Sequence, residues 1–186
     1  IFFNNTVEEE ITFNLKRNKV NNEEIKIKLN EILEKLGIDK KLLNASPFEI
    51  SGGQKRMIAL ASVLISSPKI LFLDEPTAGL DFESKKIFMS SLKSLNKNFK
   101  LTIIQSSHIL EDIIEYGDTV LILNKNKKFI NGNPRDLLFS KETLNNYGLK
   151  EPEIYKYIEE LKKFGVKNID NIKTNSELIK KLFYSN

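Results

Sequence analysis

The chain has 186 residues, enough for one domain with a real core. It is 40% hydrophobic and 29% charged, and it has no cysteine. This composition excludes a disulfide scaffold and a cysteine zinc site, and no apolar run approaches the ~20 residues of a membrane-spanning helix. The net charge is +4, but acids are interspersed with the lysines and no block of like charge reaches the length of a polyanion-binding tail, so no nucleic-acid partner is expected.

Residue 1 is Ile rather than Met, and no secretory signal pattern follows it, so a piece of a longer protein is expected. The lack of cysteine suits a cytoplasmic setting. Residues 1–21 read as polar and irregular. Asn22 is placed to cap a helix over Glu23–Leu36, with an apolar stripe of Ile25, Leu29, Ile32, Leu33 and Leu36, and Gly37 is placed to stop it. Residues 38–50 form a connector containing Pro47. Ser51 opens a second helix carrying Met57, Ile58, Leu60, Ala61, Leu64 and Ile65. Lys69–Leu73 is then a short strand, apolar enough to be buried on both faces.

Asp74–Asp81 is a loop, followed by a helix to about Leu95 and a second buried strand, Leu101–Gln105. Ile109–Tyr116 is helical and stops at Gly117. Thr119–Leu123 is a third strand, and a turn at Asn124–Lys127 leads to a hairpin partner, Lys128–Asn131. Alternating helices and buried strands predict an α/β fold with a largely parallel sheet and an antiparallel hairpin at one end. From about residue 134 only helices follow. Pro134 and Pro152 suit first helical positions, Gly148 and Gly165 suit stops, and Ser176 is placed to cap Glu177–Phe183.

Three places carry chemistry. Ser51-Gly52-Gly53-Gln54-Lys55 is a glycine-bearing loop running into a helix, and Ser51 and Gln54 have capping-box spacing. Its backbone N–H groups and the positive helix end can face an anion. The same residues also suit a plain capped helix. Ile70-Leu71-Phe72-Leu73-Asp74-Glu75 is an apolar strand ending in two carboxylates, where ligands gather in α/β sheets. Asp74 can hold Mg²⁺ there and Glu75 can orient a water. The pair can equally be a solvated loop start. His108 is the single histidine and lies three residues past the second strand, near the same sheet edge, where a structural role is also open.

Together these residues resemble the ABC ATPase family. Ser51–Lys55 is similar to its signature loop. Ile70–Glu75 resembles its Walker B strand with the catalytic glutamate, and Pro76–Asp81 resembles the loop continuing into its D-loop. Ser106-Ser107-His108 resembles its switch-histidine loop, with Ser107 where Thr is more usual. Thr6–Ile11 followed by Phe13, Ser46–Glu49, and the late Glu177-Leu178 resemble the ATPase subunits of energy-coupling factor (ECF) importers, which take up vitamins and metal ions. Phe82 stands where the family often has Pro, and Ile50 where Leu is common.

The resemblance implies a partial P-loop NTPase fold over 1–140, with a helical subdomain at about 6–56, and a small helical region at 141–186. The phosphate-cradling motif G-x-x-x-x-G-K-[ST] is not among these residues. The P-loop and Q-loop are therefore expected upstream, and the chain alone is expected to be inactive. In the family, two subunits pack head to tail around ATP. The resemblance then gives Ser51, Gly52, Gly53 and Gln54 the γ-phosphate of the opposite site, and gives Asp74 the Mg²⁺. Glu75 is implied to polarise water, His108 to contact the γ-phosphate, and Asp81 to lie at the dimer seam. The implied partners are a second ATPase, identical or paralogous, a transmembrane coupling protein and a substrate-binding membrane protein. The implied location is the cytoplasmic membrane face. Another ABC transporter subunit, a non-transport ABC ATPase and an inactive short chain remain as alternatives.

Overall fold

Thr6 begins the first helix. Its side chain accepts the N–H of Glu9 while the Glu9 carboxylate accepts the N–H of Thr6, a reciprocal cap on α1 (Val7–Arg17). The computed structural model describes residues 2–124 and 128–184. It divides into two compact units, 1–106 and 107–186.

The helix α1 corrects the irregular reading of residues 1–21. Its buried face is narrow, with Val7, Ile11 and Leu15 one turn apart, and it includes Thr12. The Thr12 hydroxyl donates to the Glu8 carbonyl at 2.7 Å, which lets a polar residue occupy the inner face. In α2 (Asn22–Leu36) all five residues of the expected stripe are buried. Its cap is Asn21 rather than Asn22, and Gly37 ends it at φ 63°. A 3₁₀ turn at Lys40–Asn44 leads to α3 (Gly52–Leu64), on which α1 and α2 pack.

Two strands complete the first unit. The strands β1 (Ile70–Leu73) and β2 (Thr102–Gln105) pair in parallel, with Leu73 opposite Gln105. The crossover between them is α4 (Phe82–Phe99), a turn longer than expected, which packs against β2. Burial on both faces is not realised. Leu71 is buried, but Ile70, Phe72, Thr102 and Ile104 share the opposite face by register and are exposed, Phe72 to 71%. The apolar run located the strand correctly. Burial depends on what covers each face, and the described residues of this unit cover one.

The second unit opens with α5 (Leu110–Tyr116), followed by the antiparallel pair β3 (Val120–Leu123) and β4 (Phe129–Gly132). The turn expected at 124–127 falls largely on 125–127, outside the described residues. Then come α6 (Pro134–Leu137), α7 (Lys141–Tyr147), α8 (Glu153–Lys163) and α9 (Asn175–Phe183). Ile114, Val120, Ile122 and Leu138 form one core cluster, and Ile154, Ile158, Ile169 and Leu178 form another. Two expected helix starts are corrected. Thr174, not Ser176, caps α9, through a reciprocal bond with Glu177, because its hydroxyl lies three residues before a glutamate that can reach back. Pro152 stands at the N-cap of α8 rather than inside it, and the carboxylate of Glu111 instead accepts the N–H of Glu153 at 2.7 Å.

Candidate functional site

The signature-like loop is a capped helix start. The Ser51 hydroxyl accepts the Gln54 N–H at 3.2 Å, and the Gln54 side-chain oxygen accepts the Ser51 N–H at 2.9 Å. This box uses the N–H groups of Ser51 and Gln54 and leaves those of Gly52 and Gly53 outside it, at the positive end of α3. Gly53 has a steric reason to lack a side chain. A Cβ there would lie 2.9 Å from the Cβ of Ser84 and closer still to its hydroxyl. One helical turn on, the Arg56 guanidinium donates to the Ala78 carbonyl at 3.1 Å. The start of α3 is thus held against the loop at 76–81 and the start of α4.

Asp81 is the cap of α4. It accepts the Ser84 N–H at 2.9 Å on one oxygen and the Ser84 hydroxyl at 2.7 Å on the other. The Ser84 N–H first, and then its hydroxyl, hold the Asp81 carboxyl below the ordinary range.

The two adjacent carboxylates stand where β1 ends. The backbone N–H of Ser106 donates to the Leu73 carbonyl at 2.9 Å, which extends the pairing of β1 and β2 by one step. That step brings the Ser106 hydroxyl between the two acids. It donates to Asp74 Oδ1 at 2.6 Å and accepts the Glu75 N–H at 2.9 Å. Glu75 itself has φ 43°, in the left-handed region that non-glycine residues rarely occupy. His108 belongs to the second unit and is exposed there. Beside it, the Ser107 hydroxyl accepts the N–H of Ile109 at 3.1 Å, just ahead of α5.

The structure therefore groups Asp74 with Glu75, and Ser51–Gln54 with Asp81 through Ser84. Sequence reasoning placed Ser106 only within the loop leading to His108, with no tie to the carboxylates, and gave no role to Ser84. A hydroxyl immediately after a strand paired with the one ending in Asp-Glu was the available signal for the first. A serine three residues after a capping Asp was the signal for the second.

The donor set fits one kind of metal. Ser106 engages Asp74 through Oδ1, leaving Oδ2 outside that bond. Among the described residues no group of three or more His, Cys, Asp or Glu side chains is arranged to hold an ion. Mg²⁺ characteristically takes one or two carboxylates and completes its shell with water and substrate phosphates. Asp74 suits that role and does not form a protein cage.

The ABC transporter family model matches residues 2–78. The chain is 40% identical over 164 residues to the energy-coupling factor transporter ATP-binding protein EcfA2 of Caldanaerobacter subterraneus subsp. tengcongensis, across 88% of this chain and 57% of that protein. It is 36% identical over 181 residues to the protein of the same name from Clostridium tetani, across 97% of this chain and 63% of that one. Among solved structures it resembles cbiO1 from Clostridium perfringens, described as part of the ABC transporter complex cbiONQ, with a TM-score of 0.70 and 32% identity over 85% of this chain and 62% of that chain. The chain thus spans less than two thirds of the length of each. Signature-like loop, paired carboxylates, sequence kinship and superposition agree: residues 2–78 match the ABC transporter family model, and the chain has the fold of ABC ATPase cassettes.

Proposed function

We propose that the whole protein is the ATP-hydrolysing subunit of an ECF-type importer, and that these residues supply its signature loop and both carboxylates of its hydrolytic site. The observation that carries this reading is the Asp74–Ser106–Glu75 arrangement at the carboxyl ends of two parallel strands. Kinship to the EcfA2 proteins supports the transporter class.

In the reaction a water oxygen bonds to the γ-phosphorus of ATP, the bond from that phosphorus to the β–γ bridging oxygen breaks, and ADP and phosphate leave. Glu75 orients the water and takes its proton. When bound, Mg²⁺ neutralises charge on the phosphate oxygens, with Asp74 as its protein ligand. Gly52 and Gly53 offer backbone N–H groups to the γ-phosphate held by a second subunit, with Ser51 and Gln54 shaping that end of the helix. His108 contacts the γ-phosphate from its own subunit, and Asp81 lies at the seam between the two. Such chemistry is mostly positioning and electrostatics, which suits a site built of capped loops.

The partners in this reading are a second ATPase, a transmembrane coupling protein and a substrate-binding membrane protein, with the ATPase on the cytoplasmic membrane face. Residues 1–140 are the ATPase portion, with its helical part at about 6–56, and 141–186 are an appendage. The buried members of one core cluster, Ile154, Ile158, Ile169 and Leu178, all lie beyond residue 140, in keeping with that division. The test is to purify the whole protein with candidate membrane subunits and measure ATP hydrolysis and vesicle uptake. An absence of ATP turnover in the assembled complex would sink the ATPase reading. Uptake that needs no separate substrate-binding membrane protein would sink the ECF assignment and leave the ABC one standing.

A further inference from the structure

Ser106 has two partners and spends a different half of its hydroxyl on each. The proton goes to Asp74 Oδ1 at 2.6 Å, a short bond to a charged acceptor. A lone pair takes the Glu75 N–H at 2.9 Å. The serine is itself fixed, because its backbone N–H continues the β1–β2 ladder onto the Leu73 carbonyl.

What it holds needs holding. Glu75 is not glycine, yet it lies at φ 43°. The residue after it is Pro76, and a following proline disfavours helical backbone angles in the residue before it. The conformation is fastened through both backbone polar groups of the residue: the Ser106 hydroxyl takes the Glu75 N–H, and the Glu75 carbonyl accepts the Ala78 N–H at 3.1 Å. Reversing Glu75 to an ordinary extended geometry would re-aim its side chain and release the Ser106 lone pair together.

We propose that Ser106 is a positioning residue that couples the two carboxylates, fixing Asp74 through its proton and the backbone of Glu75 through its lone pair, so that the metal ligand and the water-orienting base are set as one unit. The inference rests on the ATPase reading for its consequence and on the geometry alone for the coupling. Alanine at this position removes both bonds, whereas threonine keeps both and suits a strand end.

The experiment compares Ser106→Ala and Ser106→Thr in the whole protein with two readouts. The first is hydrogen exchange at the Glu75 amide without nucleotide. Ser106→Ala is expected to speed exchange about fivefold, the consequence of losing one hydrogen bond of ordinary net strength, while Ser106→Thr exchanges like wild type. The second is ATPase kinetics. Ser106→Ala is expected to lower kcat by about tenfold or more, with the KM for ATP changed far less, and Ser106→Thr to restore it. Unchanged Glu75 exchange in Ser106→Ala overturns the coupling, as does an unchanged kcat in a wild type that turns over. A wild type without ATPase activity sinks the functional reading, and the exchange experiment then decides the coupling alone. Should Ser106→Ala fail to fold, Ser106→Cys, similar in size with only a weak S–H donor, is judged by the same criteria.

Discussion

Gly53→Ala tests how tightly the starts of α3 and α4 are locked. Two opposing effects set its size. Alanine is favoured over glycine in a helix by about 1 kcal/mol, so a roomy site would gain stability. Here the new Cβ would meet the Ser84 Cβ at 2.9 Å, inside any normal contact. Ser84 does not swing away without cost, because its hydroxyl and N–H both bind Asp81. Overpacking of this kind costs about 1–3 kcal/mol, so the net expectation is a loss of about 1 kcal/mol. The partner substitution must be glycine. Ser84→Ala would keep the offending Cβ, whereas Ser84→Gly removes it. Urea denaturation of wild type, both single variants and the Gly53→Ala/Ser84→Gly double gives the coupling, expected at about 1–3 kcal/mol in favour of the double. A Gly53→Ala protein as stable as wild type, or a coupling near zero, would refute the argument that glycine is required here by Ser84.

Further outcomes follow from the site and the second unit. Glu75→Gln should lower hydrolysis by about 10²-fold or more while leaving ATP binding and ATP-dependent dimerisation intact, and Asp74→Asn should instead weaken Mg²⁺ dependence. A Glu75→Gln protein keeping a tenth of wild-type turnover would remove Glu75 from the role of base. The 186-residue chain alone, which lacks the phosphate-cradling motif, should show no micromolar ATP affinity by calorimetry. Glu177 supplies a pH test. Burial pushes its pKa up, but the Lys173 N–H and the Arg135 guanidinium, 2.6 Å away, outweigh this and leave it lowered. A lowered folded-state pKa adds stability above the unfolded value near 4.5, and that stability is lost as pH falls through the lower folded value. Glu177→Gln should therefore flatten the acid limb of a melting-temperature profile below about pH 4.5, and an unchanged limb would count against the contact.

Where sequence reasoning succeeded, the signal was local. The stripe from Ile25 to Leu36 repeats at helical spacing and is buried as read. Ser51 and Gln54 sit three residues apart and form the reciprocal cap. The first helix was missed because a single row of apolar residues with Thr12 among them carries little periodic signal, although the spacing of Thr6 and Glu9 held the cap in plain view. Strand positions were legible from apolar runs. The exposure of Ile70, Phe72 and Ile104 was not, since it depends on neighbours the strands do not encode. The adjacent acids announced the site. Ser106 did not, because a serine says nothing of its partners until the strand register sets it 31 and 32 residues away from them.

The start of α8 has a consequence for how the chain assembles. The helices α7 and α9 carry their own caps, in Ser140 and Thr174. By contrast, α8 takes its capping oxygen from Glu111, in α5. It is 11 residues long, below the length at which an isolated helix holds together in water. Its formation is thus contingent on a segment made 42 residues earlier. As the chain leaves the ribosome, α8 should stay loose until α5 is docked, whereas the capping oxygen of α9 is made in its own segment. An insertion that displaced α5 would be read out first as fraying at Glu153, far along the sequence from the lesion.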